Sequence, residues 1–287
     1  MKNISVTNPD KILWPKTGTT KMEYLTYLFA MADYILPYTR ERLLTVIRFP
    51  DGVEGKSFYQ KNAPAYTPEW IKTYSWHQNE YIVCNDKETL LWLGNQAALE
   101  LHVAFNRVGA ENMPTELVFD LDPSTEGFDH VREAALYVRE ALEKIGLISF
   151  VKTSGATGLQ VYVPITFTYT YEQTRRVGKF IAEFLVETYP SLLTVERFKG
   201  KRGDKLYIDY VQHAPGKTLP PPYSVRARAL PTVSAPVTWQ EIEKGCRPED
   251  FTIGTIPDRV KTYGDLFAPL TNESNRQPLD AILKILD

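Results

Sequence analysis

An alternating run of apolar and acidic residues near the middle of the chain, LVFDLD at 117–122, constrains the fold more than any other feature of the sequence. Side chains alternate between the two faces of a β-strand, so Asp120 and Asp122 point the same way and the apolar residues cover the opposite face. The run therefore predicts a strand whose sheet is covered on one face. Two carboxylates about 6.7 Å apart along a strand repel each other, unless a cation or hydrogen-bond donors compensate their charge.

A third acidic residue, Asp209, interrupts an apolar β pattern at 205–211. An unpaired carboxylate in such a strand is costly to desolvate, so something must compensate its charge. If this strand lies beside the strand of Asp120, the three acids form a cluster that suits Mg²⁺ or Mn²⁺, because these ions prefer oxygen ligands. The alternative is that the acids at 120 and 122 simply meet water at the end of a strand.

The composition excludes several other classes of protein. The 287 residues are 43% hydrophobic and 24% charged, which are ordinary values for a globular chain. Two cysteines rule out a disulfide framework and a cysteine-rich zinc module, and they fit a reducing compartment. The chain has no long apolar run and no apolar signal segment at its start, so we expect a cytoplasmic protein without a membrane partner.

The net charge of −2 gives no global basic field that would attract nucleic acid. One local segment is basic, ERFKGKRGDK at 196–205, with five basic residues against two acidic ones. This segment is a candidate site for a polyanion, and a solvated charged loop is the alternative.

Strand-like and helix-like runs alternate along the chain and predict an α/β or α+β fold. We expect two units, 1–110 and 111–287, that pack tightly, with a single structural domain as the alternative. The capping-box spacing from Thr20 to Glu23 predicts a helix up to Pro37. Strands are expected at 43–49, 57–60, 81–84, 116–122, 148–153, 159–165 and 205–211. Further helices are expected at 87–99, 130–145 and 170–189.

A glycine-containing turn, TSGATGLQ at 153–160, joins two of the predicted strands. Gly155 and Gly158 permit a backbone with positive φ that aims N–H groups at an anion, and Ser154 and Thr157 add hydroxyl donors. The turn therefore suits a triphosphate. An ordinary glycine hairpin loop is the alternative.

Three other patterns point to different chemistry. The stretch GVEGKS at 52–57 resembles a phosphate loop, but Pro50 stands where that loop needs glycine, so we reject it. DLDPS at 120–124 resembles the signature of haloacid-dehalogenase-type phosphatases, in which Asp120 would be the nucleophile, although Ser124 replaces the usual Thr or Val. His102 lies in an apolar run and is either a core residue or a site residue.

The ordered motifs of the chain resemble the primase-polymerase domain of bacterial DNA ligase D, of the archaeo-eukaryotic primase superfamily. These motifs are NPDKILWP, TKMEYLTYL, RFPDGVEGKSFYQKNAP, LHVAFNR, LVFDLDPS, VKTSGATGLQVYVPI, KLYIDYVQHAPGKTLPPPYSVRAR and VSAPVTW. They extend over nearly the whole chain. The resemblance implies an α+β fold, with a primase-type catalytic core on an RRM-like mixed sheet and an N-terminal α/β unit that binds DNA ends.

The resemblance also implies a function. The family repairs double-strand breaks by non-homologous end joining with Ku and a ligase activity, and it extends or fills DNA ends, commonly with ribonucleotides and Mn²⁺. We therefore expect a template-dependent nucleotidyltransferase that uses NTPs or dNTPs and two divalent ions, Mn²⁺ or Mg²⁺. Its partners would be DNA ends with a 5′-phosphate, Ku, and a DNA ligase that is either part of the same chain or a separate protein. It would act in the nucleoid. The alternatives are a non-catalytic module that bridges DNA ends and a phosphatase that uses Asp120.

By the same resemblance, individual residues match positions of the family's site. Asp120, Asp122 and Asp209 match the catalytic acids that bind the metal ions. The positions that match nucleotide-binding residues are His102, Ser154, Gly155, Gly158, Gln160, Arg202 and Arg226. Gln160 replaces a usual histidine and Gln212 a frequent arginine. We therefore expect weaker triphosphate affinity or a different pH response, and a greater reliance on the two arginines and the metal.

The N-terminal unit resembles the part of the family that grips a DNA end. Lys16 and Lys21 fall where the family binds the 5′-phosphate, and Phe58 with Tyr59 matches an aromatic pair that stacks on the template. Base–aromatic stacking contributes roughly 1–3 kcal/mol per base without reading sequence. A solvated lysine face and a core aromatic pair are the respective alternatives.

Overall fold

The structure is a computed structural model that describes residues 4–287. The chain forms two compact units. The first unit runs up to Gly109 and also contains Thr218–Ala235 and Glu249–Asp265. The second unit consists of Ala110–Lys217, Pro236–Pro248 and Leu266–Asp287.

The elements are numbered in chain order. The strands are β1 (Ile12–Trp14), β2 (Thr19–Thr20), β3 (Leu44–Arg48), β4 (Phe58–Gln60), β5 (Thr73–Trp76), β6 (Asn79–Ile82), β7 (Ala98–Ala104), β8 (Glu116–Asp122), β9 (Phe150–Thr153), β10 (Leu159–Pro164), β11 (Leu193–Thr194), β12 (Leu206–Asp209), β13 (Thr218–Leu219) and β14 (Pro236–Val237). The α-helices are α1 (Lys21–Thr39), α2 (Lys87–Asn95), α3 (Asp129–Lys144), α4 (Tyr171–Thr188), α5 (Lys199–Arg202), α6 (Trp239–Lys244), α7 (Ile256–Tyr263), α8 (Ala268–Thr271) and α9 (Asp280–Leu286). Short 3₁₀ helices lie at Pro248–Asp250 and Glu273–Asn275.

The predicted division of the chain into 1–110 and 111–287 differs from the observed units. The chain first leaves the first unit after Gly109, but two later segments return to it. The reason is hydrogen bonding over long sequence separations: β13 pairs with β7, and the hydroxyl of Tyr27 on α1 donates to the carbonyl of Tyr223. The second unit is therefore assembled from three pieces of chain.

The first unit is built on a sheet of order β13-β7-β3-β6-β5, with β4 as a further partner of β3. Helix α1 begins where Thr20 and Glu23 cap each other's backbone N–H groups, as the spacing predicted, and continues to Thr39 past Pro37. It packs against α2. Gly94 makes this close approach possible, because a Cβ atom there would lie 2.6 Å from Leu28 Cδ1.

The helix predicted at 87–99 is too long. Helix α2 ends at Asn95, and Ala97 has a φ of 56°, a left-handed conformation that does not continue a right-handed helix. The chain then enters β7, a strand that the sequence analysis missed. His102 therefore lies on a β-strand next to β3.

The second unit has a six-stranded sheet of order β11-β12-β8-β10-β9-β14. Its central four strands, β12-β8-β10-β9, are antiparallel and follow the chain order β8-α3-β9-β10-α4-β12, with the short β11 and α5 inserted between α4 and β12. This is the βαββαβ arrangement of RRM-like folds. Because β11 pairs with β12 in parallel, the sheet is mixed. The predicted α+β fold with an RRM-like mixed sheet is confirmed.

Helices α3 and α4 of the second unit cover one face of this sheet. Helix α4 begins with a capping box between Thr170 and Gln173 and packs against β8. Its Gly178 lies over Leu117, since a Cβ atom there would be 3.4 Å from Leu117 Cδ1. Helix α3 contacts both α4 and β8. The acidic residues of β8 alternate with Leu117, so they lie on the opposite face.

No helix between residues 4 and 287 combines the length and apolar character needed to span a bilayer.

Candidate active site

Four polar residues form a row across the sheet of the second unit. Asp209 on β12 is paired with Asp120 on β8, Asp120 with Gln160 on β10, and Gln160 with Lys152 on β9. Directly paired residues of antiparallel strands project to the same face, so the row lies on the face opposite α4. Asp122, two positions after Asp120, projects to this face as well. The structure thus brings together the three acids that the sequence identified.

The three carboxylates differ in their surroundings. Asp120 is buried, Asp209 is half-buried and Asp122 is exposed at the end of β8. Asp209 Oδ1 accepts hydrogen bonds from the Tyr207 hydroxyl at 3.0 Å and from the Gln212 backbone N–H at 2.8 Å. The position of Asp209 is therefore fixed by its own strand and by the turn that follows it.

The electrostatics of Asp120 are unfavourable for a charged carboxylate. Burial and the charge of Asp122, together with that of Asp209, raise the pKa of Asp120 from 3.8 to about 8. The hydrogen bond from Gln160 and the charge of Lys152 offset only part of this effect. A cation at this position would stabilise the ionised carboxylate directly.

Gln160 connects Asp120 to a buried lysine. Its side-chain Nε2 donates to Asp120 Oδ1 at 3.0 Å, and its Oε1 accepts a short hydrogen bond from Lys152 Nζ. A charged ammonium only donates, so it fixes which end of the amide faces Asp120. The predicted contact of Gln160 with a triphosphate stays a prediction. Lys152 was missed, although a lysine inside an apolar strand was a signal that could have found it.

The acids fit a hard divalent cation better than zinc. The donor atoms are carboxylate oxygens, which Mg²⁺ and Mn²⁺ prefer, and like charges in a buried place require such compensation. Among residues 4–287, no three His, Cys, Asp or Glu side chains already converge as a complete ligand set.

The glycine turn between β9 and β10 is a hairpin loop that bonds to itself. The hydroxyl of Ser154 accepts hydrogen bonds from the N–H groups of Ala156 and Gly158. Gly155 has a φ of 71°, which glycine adopts at little cost. Gly158 lies so close to β8 that a Cβ atom would be 2.4 Å from the Leu121 carbonyl oxygen. The turn is therefore fastened beside the acids, and its predicted contact with a triphosphate stays a prediction.

Arg202 in the basic segment at 196–205 is buried against Tyr207. Its guanidinium carbon lies 3.9 Å from the centre of the Tyr207 ring, and two of its nitrogens donate to the carbonyls of Glu196 and Arg197. Because the hydroxyl of Tyr207 bonds to Asp209, Arg202 is linked to the acids through one side chain. Its predicted contact with a nucleotide stays a prediction.

His102 and Arg226 lie in the first unit, whereas the three acids lie in the second. Within the first unit, both contact one carboxylate: Glu100 Oε2 is 3.0 Å from His102 Nε2 and 3.2 Å from Arg226 Nε. His102 is thus a residue of a charged cluster and not an apolar core residue. Glu100 was not identified from the sequence, although an acidic residue two positions before a histidine in an apolar run was a signal that could have identified it.

The two lysines predicted to bind a 5′-phosphate have different surroundings. Lys16 is exposed in the turn between β1 and β2. Lys21 is buried, and its ammonium donates to the carbonyl of Thr7 at 2.6 Å and to the Thr7 hydroxyl at 3.1 Å. Burial and nearby positive charges lower the pKa of Lys21. Lys16 therefore has the more accessible charge.

The aromatic pair on β4 is exposed, which excludes the alternative that it belongs to the core. Tyr59 is 74% and Phe58 46% exposed. The guanidinium of Arg48 lies 5.3 Å from the centre of the Phe58 ring and donates to the hydroxyl of Tyr66, another exposed aromatic residue. Arg48 holds a surface of aromatic rings in place. Tyr66 was missed because its local sequence looks like an ordinary proline-flanked loop.

A βαββαβ sheet that carries clustered acids on the face opposite α4, together with a unit that exposes aromatic rings, is typical of a primase-type nucleotidyltransferase. The model of the family "LigD, primase-polymerase domain" matches residues 20–267. The bifunctional non-homologous end joining protein LigD of Bacillus subtilis is 42% identical over 282 residues, which cover 98% of this chain and 46% of that protein. The multifunctional non-homologous end joining protein LigD of Mycolicibacterium smegmatis is 36% identical over 279 residues, covering 94% of this chain and 36% of that protein.

A solved structure agrees with these relatives. The polymerase domain from Mycobacterium tuberculosis Ligase D in complex with DNA superposes with a TM-score of 0.88 at 32% identity, covering 95% of this chain and 99% of that chain. The chain belongs to the LigD primase-polymerase domain family, whose members are DNA-directed polymerases, and membership indicates use of a divalent metal. The resemblance inferred from the motifs is confirmed. Membership of this family excludes the alternative that the chain is a phosphatase with Asp120 as its nucleophile. The chain spans about half or less of the length of these two LigD proteins.

Proposed function

We propose that this polymerase domain extends or fills DNA ends during non-homologous end joining, with a preference for ribonucleotides. The relatives are named as non-homologous end joining proteins, and the solved relative is in complex with DNA. The observation that carries the catalytic part of the proposal is the buried carboxylate of Asp120, held between Asp209 and Gln160 and beside Asp122.

In this proposal Asp120, Asp122 and Asp209 hold two divalent ions, Mn²⁺ or Mg²⁺. When bound, such ions lower the pKa of a primer 3′-hydroxyl and neutralise the charge of a triphosphate and of the leaving pyrophosphate. The chain's own residues keep the acids in place. Gln160 holds one oxygen of Asp120, and Tyr207 with the Gln212 backbone holds one oxygen of Asp209.

The remaining predicted residues have binding roles in the proposal. His102, Ser154, Gly155, Gly158, Gln160, Arg202 and Arg226 contact the incoming nucleotide or hold the groups that do. Phe58 and Tyr59 stack on unpaired template bases, which their exposure supports. Lys16 and Lys21 bind the 5′-phosphate, and the exposure of Lys16 makes it the principal contact. The partners are Ku and a ligase, and the place of action is the nucleoid.

The test is extension of a gapped DNA that carries a 5′-phosphate downstream of the gap. The protein is supplied with Mn²⁺ and either ribonucleotides or deoxyribonucleotides, beside the Asp120→Ala/Asp122→Ala variant. We expect templated addition by the wild type, greater with ribonucleotides, and none by the variant. Asp204→Ala is the matched control, because Asp204 is an exposed acid outside the row.

Binding of the same DNA separates the alternatives. If the wild type binds the phosphorylated gap but adds no nucleotide, the chain is a bridging module and the catalytic proposal is wrong. Few phosphates can be neutralised at this net charge, so binding should show a modest salt dependence and need the 5′-phosphate. A steep salt dependence that is equal with and without the 5′-phosphate would contradict the end-binding role.

A further inference from the structure

The basic segment at 196–205 carries one phenylalanine whose ring lies in solvent. Phe198 is 71% exposed, against 46% for Phe58 on β4. Three exposed basic residues accompany it, Arg197, Lys199 and Lys201, and no acidic residue lies among positions 197–201. We call these five residues the Phe198 turn. With three basic residues and no acidic one, the turn is strongly positive on a chain whose net charge is −2.

The backbone of the Phe198 turn is fixed although its side chains are exposed. The Phe198 N–H donates to Glu196 Oε1 at 2.9 Å, and the Lys201 N–H donates to the Phe198 carbonyl at 2.9 Å. The Arg202 guanidinium donates to the carbonyls of Glu196 and Arg197, both at 2.8 Å. Single exposed apolar residues are ordinary on protein surfaces, but this one is held in place by its backbone. A partner that binds the ring therefore loses little conformational entropy of the turn.

The Phe198 turn lies at the face of the sheet that carries the three acids. Tyr207 and Asp209 are two positions apart on β12 and share this face, where the Tyr207 hydroxyl donates to Asp209 Oδ1 at 3.0 Å. Arg202 lies 3.9 Å from the centre of that tyrosine ring and holds the carbonyls of the turn. At the other end of the basic segment, the hydroxyl of Ser124, in the loop after β8, donates to the carbonyl of Lys205 at 2.6 Å. The segment is therefore tied to both strands that supply the acids.

These features match what binding of a single strand of nucleic acid requires. Proteins that bind single strands combine cations along the phosphate backbone with aromatic rings on which bases stack, and this stacking tolerates any base. Lys201 Nζ lies 5.6 Å from the centre of the Phe198 ring, so a base on the ring and a phosphate on the lysine can belong to the same stretch of strand. A base inside a duplex is already stacked on both faces. The turn should therefore distinguish single strands from duplex.

We propose that the Phe198 turn binds a single strand of the DNA substrate beside the acids, with the Phe198 ring stacked on an unpaired base and the three basic side chains on neighbouring phosphates. The resemblance to the family assigned only Arg202 in this segment, and it assigned that residue to the nucleotide. The contact with a strand is additional to it and to the aromatic pair on β4. The inference rests on the proposed function for the identity of the DNA, whereas the capacity to bind a single strand rests on the side chains of the turn.

The test measures binding of an oligothymidylate that carries one 2-aminopurine, in a chelating buffer without nucleotide. Stacking on an aromatic ring quenches the fluorescence of this base analogue. Phe198→Ala should lose about tenfold in affinity for the single strand and part of the quenching, but should bind a blunt duplex as the wild type does. Phe198→Trp should restore both affinity and quenching. Phe180→Ala is the matched control, because Phe180 is an exposed phenylalanine of α4, on the opposite face of the sheet.

Further variants separate the cations and the other aromatic residues. Lys199→Gln/Lys201→Gln should lower the slope of log affinity against log salt by roughly 1.4, about 0.7 for each phosphate contact of a single strand. Lys179→Gln, at an exposed lysine of α4, should leave this slope unchanged. Phe198→Ala made in a Tyr59→Ala background should lose a further tenfold or so, which assigns that loss to the turn and not to β4.

Unchanged single-strand affinity and quenching in Phe198→Ala overturn the inference, since removal of an exposed side chain leaves the fold intact. An equal loss on the blunt duplex refutes stacking on an unpaired base, and an equal loss in Phe180→Ala refutes the assignment to Phe198. A wild-type salt slope in the double lysine variant refutes the phosphate contacts. If the wild type adds no nucleotide to gapped DNA, the proposed function fails, whereas binding in chelator still decides the role of the Phe198 turn.

Discussion

Replacing Asp120 by asparagine should make the metal-free protein more stable. The buried carboxylate faces two further acids, and its pKa rises from 3.8 to about 8. At pH 7 the unfolded chain carries this group ionised, whereas the folded chain binds a proton there or bears the cost of a buried charge. Stability therefore falls as the pH rises from 3.8 towards 8, because the folded state binds more protons than the unfolded state.

The magnitude follows from the shift. The interval from 3.8 to pH 7 at about 1.4 kcal/mol per pH unit gives an upper bound of about 4 kcal/mol for the cost of Asp120 at pH 7. Asparagine keeps the Oδ1 that accepts from Gln160 and has no charge to repel Asp122 or Asp209. Relaxation of the site and burial of the amide reduce the gain, so we expect about 2 kcal/mol at pH 7 and about 1 kcal/mol at pH 5.

The assay is urea unfolding in a chelating buffer at pH 5 and pH 7, followed by thermal unfolding with added Mn²⁺. Asp120→Asn should gain stability over the wild type in chelator, more at pH 7 than at pH 5. Added Mn²⁺ should raise the Tm of the wild type by more than that of the variant, because a ligand stabilises the state that binds it. Asp204→Asn, at an exposed acid outside the row, should change neither quantity.

A variant that is less stable than the wild type in chelator at pH 7 would refute the reasoning. So would a gain that is equal at the two pH values, since the argument requires the cost to grow with ionisation.

Three further predictions concern the turn, the row and the aromatic surface. Gly158→Ala should lower the free energy of unfolding by about 2 kcal/mol or more, because the added Cβ atom would lie 2.4 Å from a backbone carbonyl oxygen. Gly200→Ala is the control and should change the stability little, because the space around Gly200 is open. Equal urea midpoints for the two variants would contradict the prediction. Gln160→His should change the KM for the nucleotide or its pH dependence, because a histidine placed between Lys152 and Asp120 can be protonated and charged, whereas glutamine cannot. Identical KM values and pH profiles for the two proteins would contradict this prediction. Tyr59→Ala should weaken binding of gapped DNA by roughly 1–3 kcal/mol without loss of stability, and Tyr59→Phe should retain affinity if stacking is the interaction.

The sequence identified the local elements that depend on neighbouring residues. The capping boxes at Thr20 and Thr170 predicted where α1 and α4 begin, because these hydrogen bonds join residues three positions apart. The alternation around Asp120 predicted a strand with two acids on one face, because the strand period of two residues is local. The motifs, read in order, also identified the family.

Tertiary structure decided everything that depends on which strands are neighbours. Asp209 lies opposite Asp120 because β12 pairs with β8 in one register, and a shift by one residue would turn its side chain to the other face. Lys152 went unnoticed because its partner Gln160 lies on the neighbouring strand, and Glu100 went unnoticed because one of its partners, Arg226, lies 126 positions away.

The chain order likewise concealed the composition of the units. Residues 218–235 and 249–265 follow most of the second unit's strands in sequence but belong to the first unit, because β13 has its hydrogen-bond partners on β7 and Thr252 pairs with Thr232. A sequence by itself determined the periodic elements, the acids and the family here. Only the folded chain decided the register, the burial and the charge partners that give those residues their chemistry, because each of these is a property of contacts between distant segments.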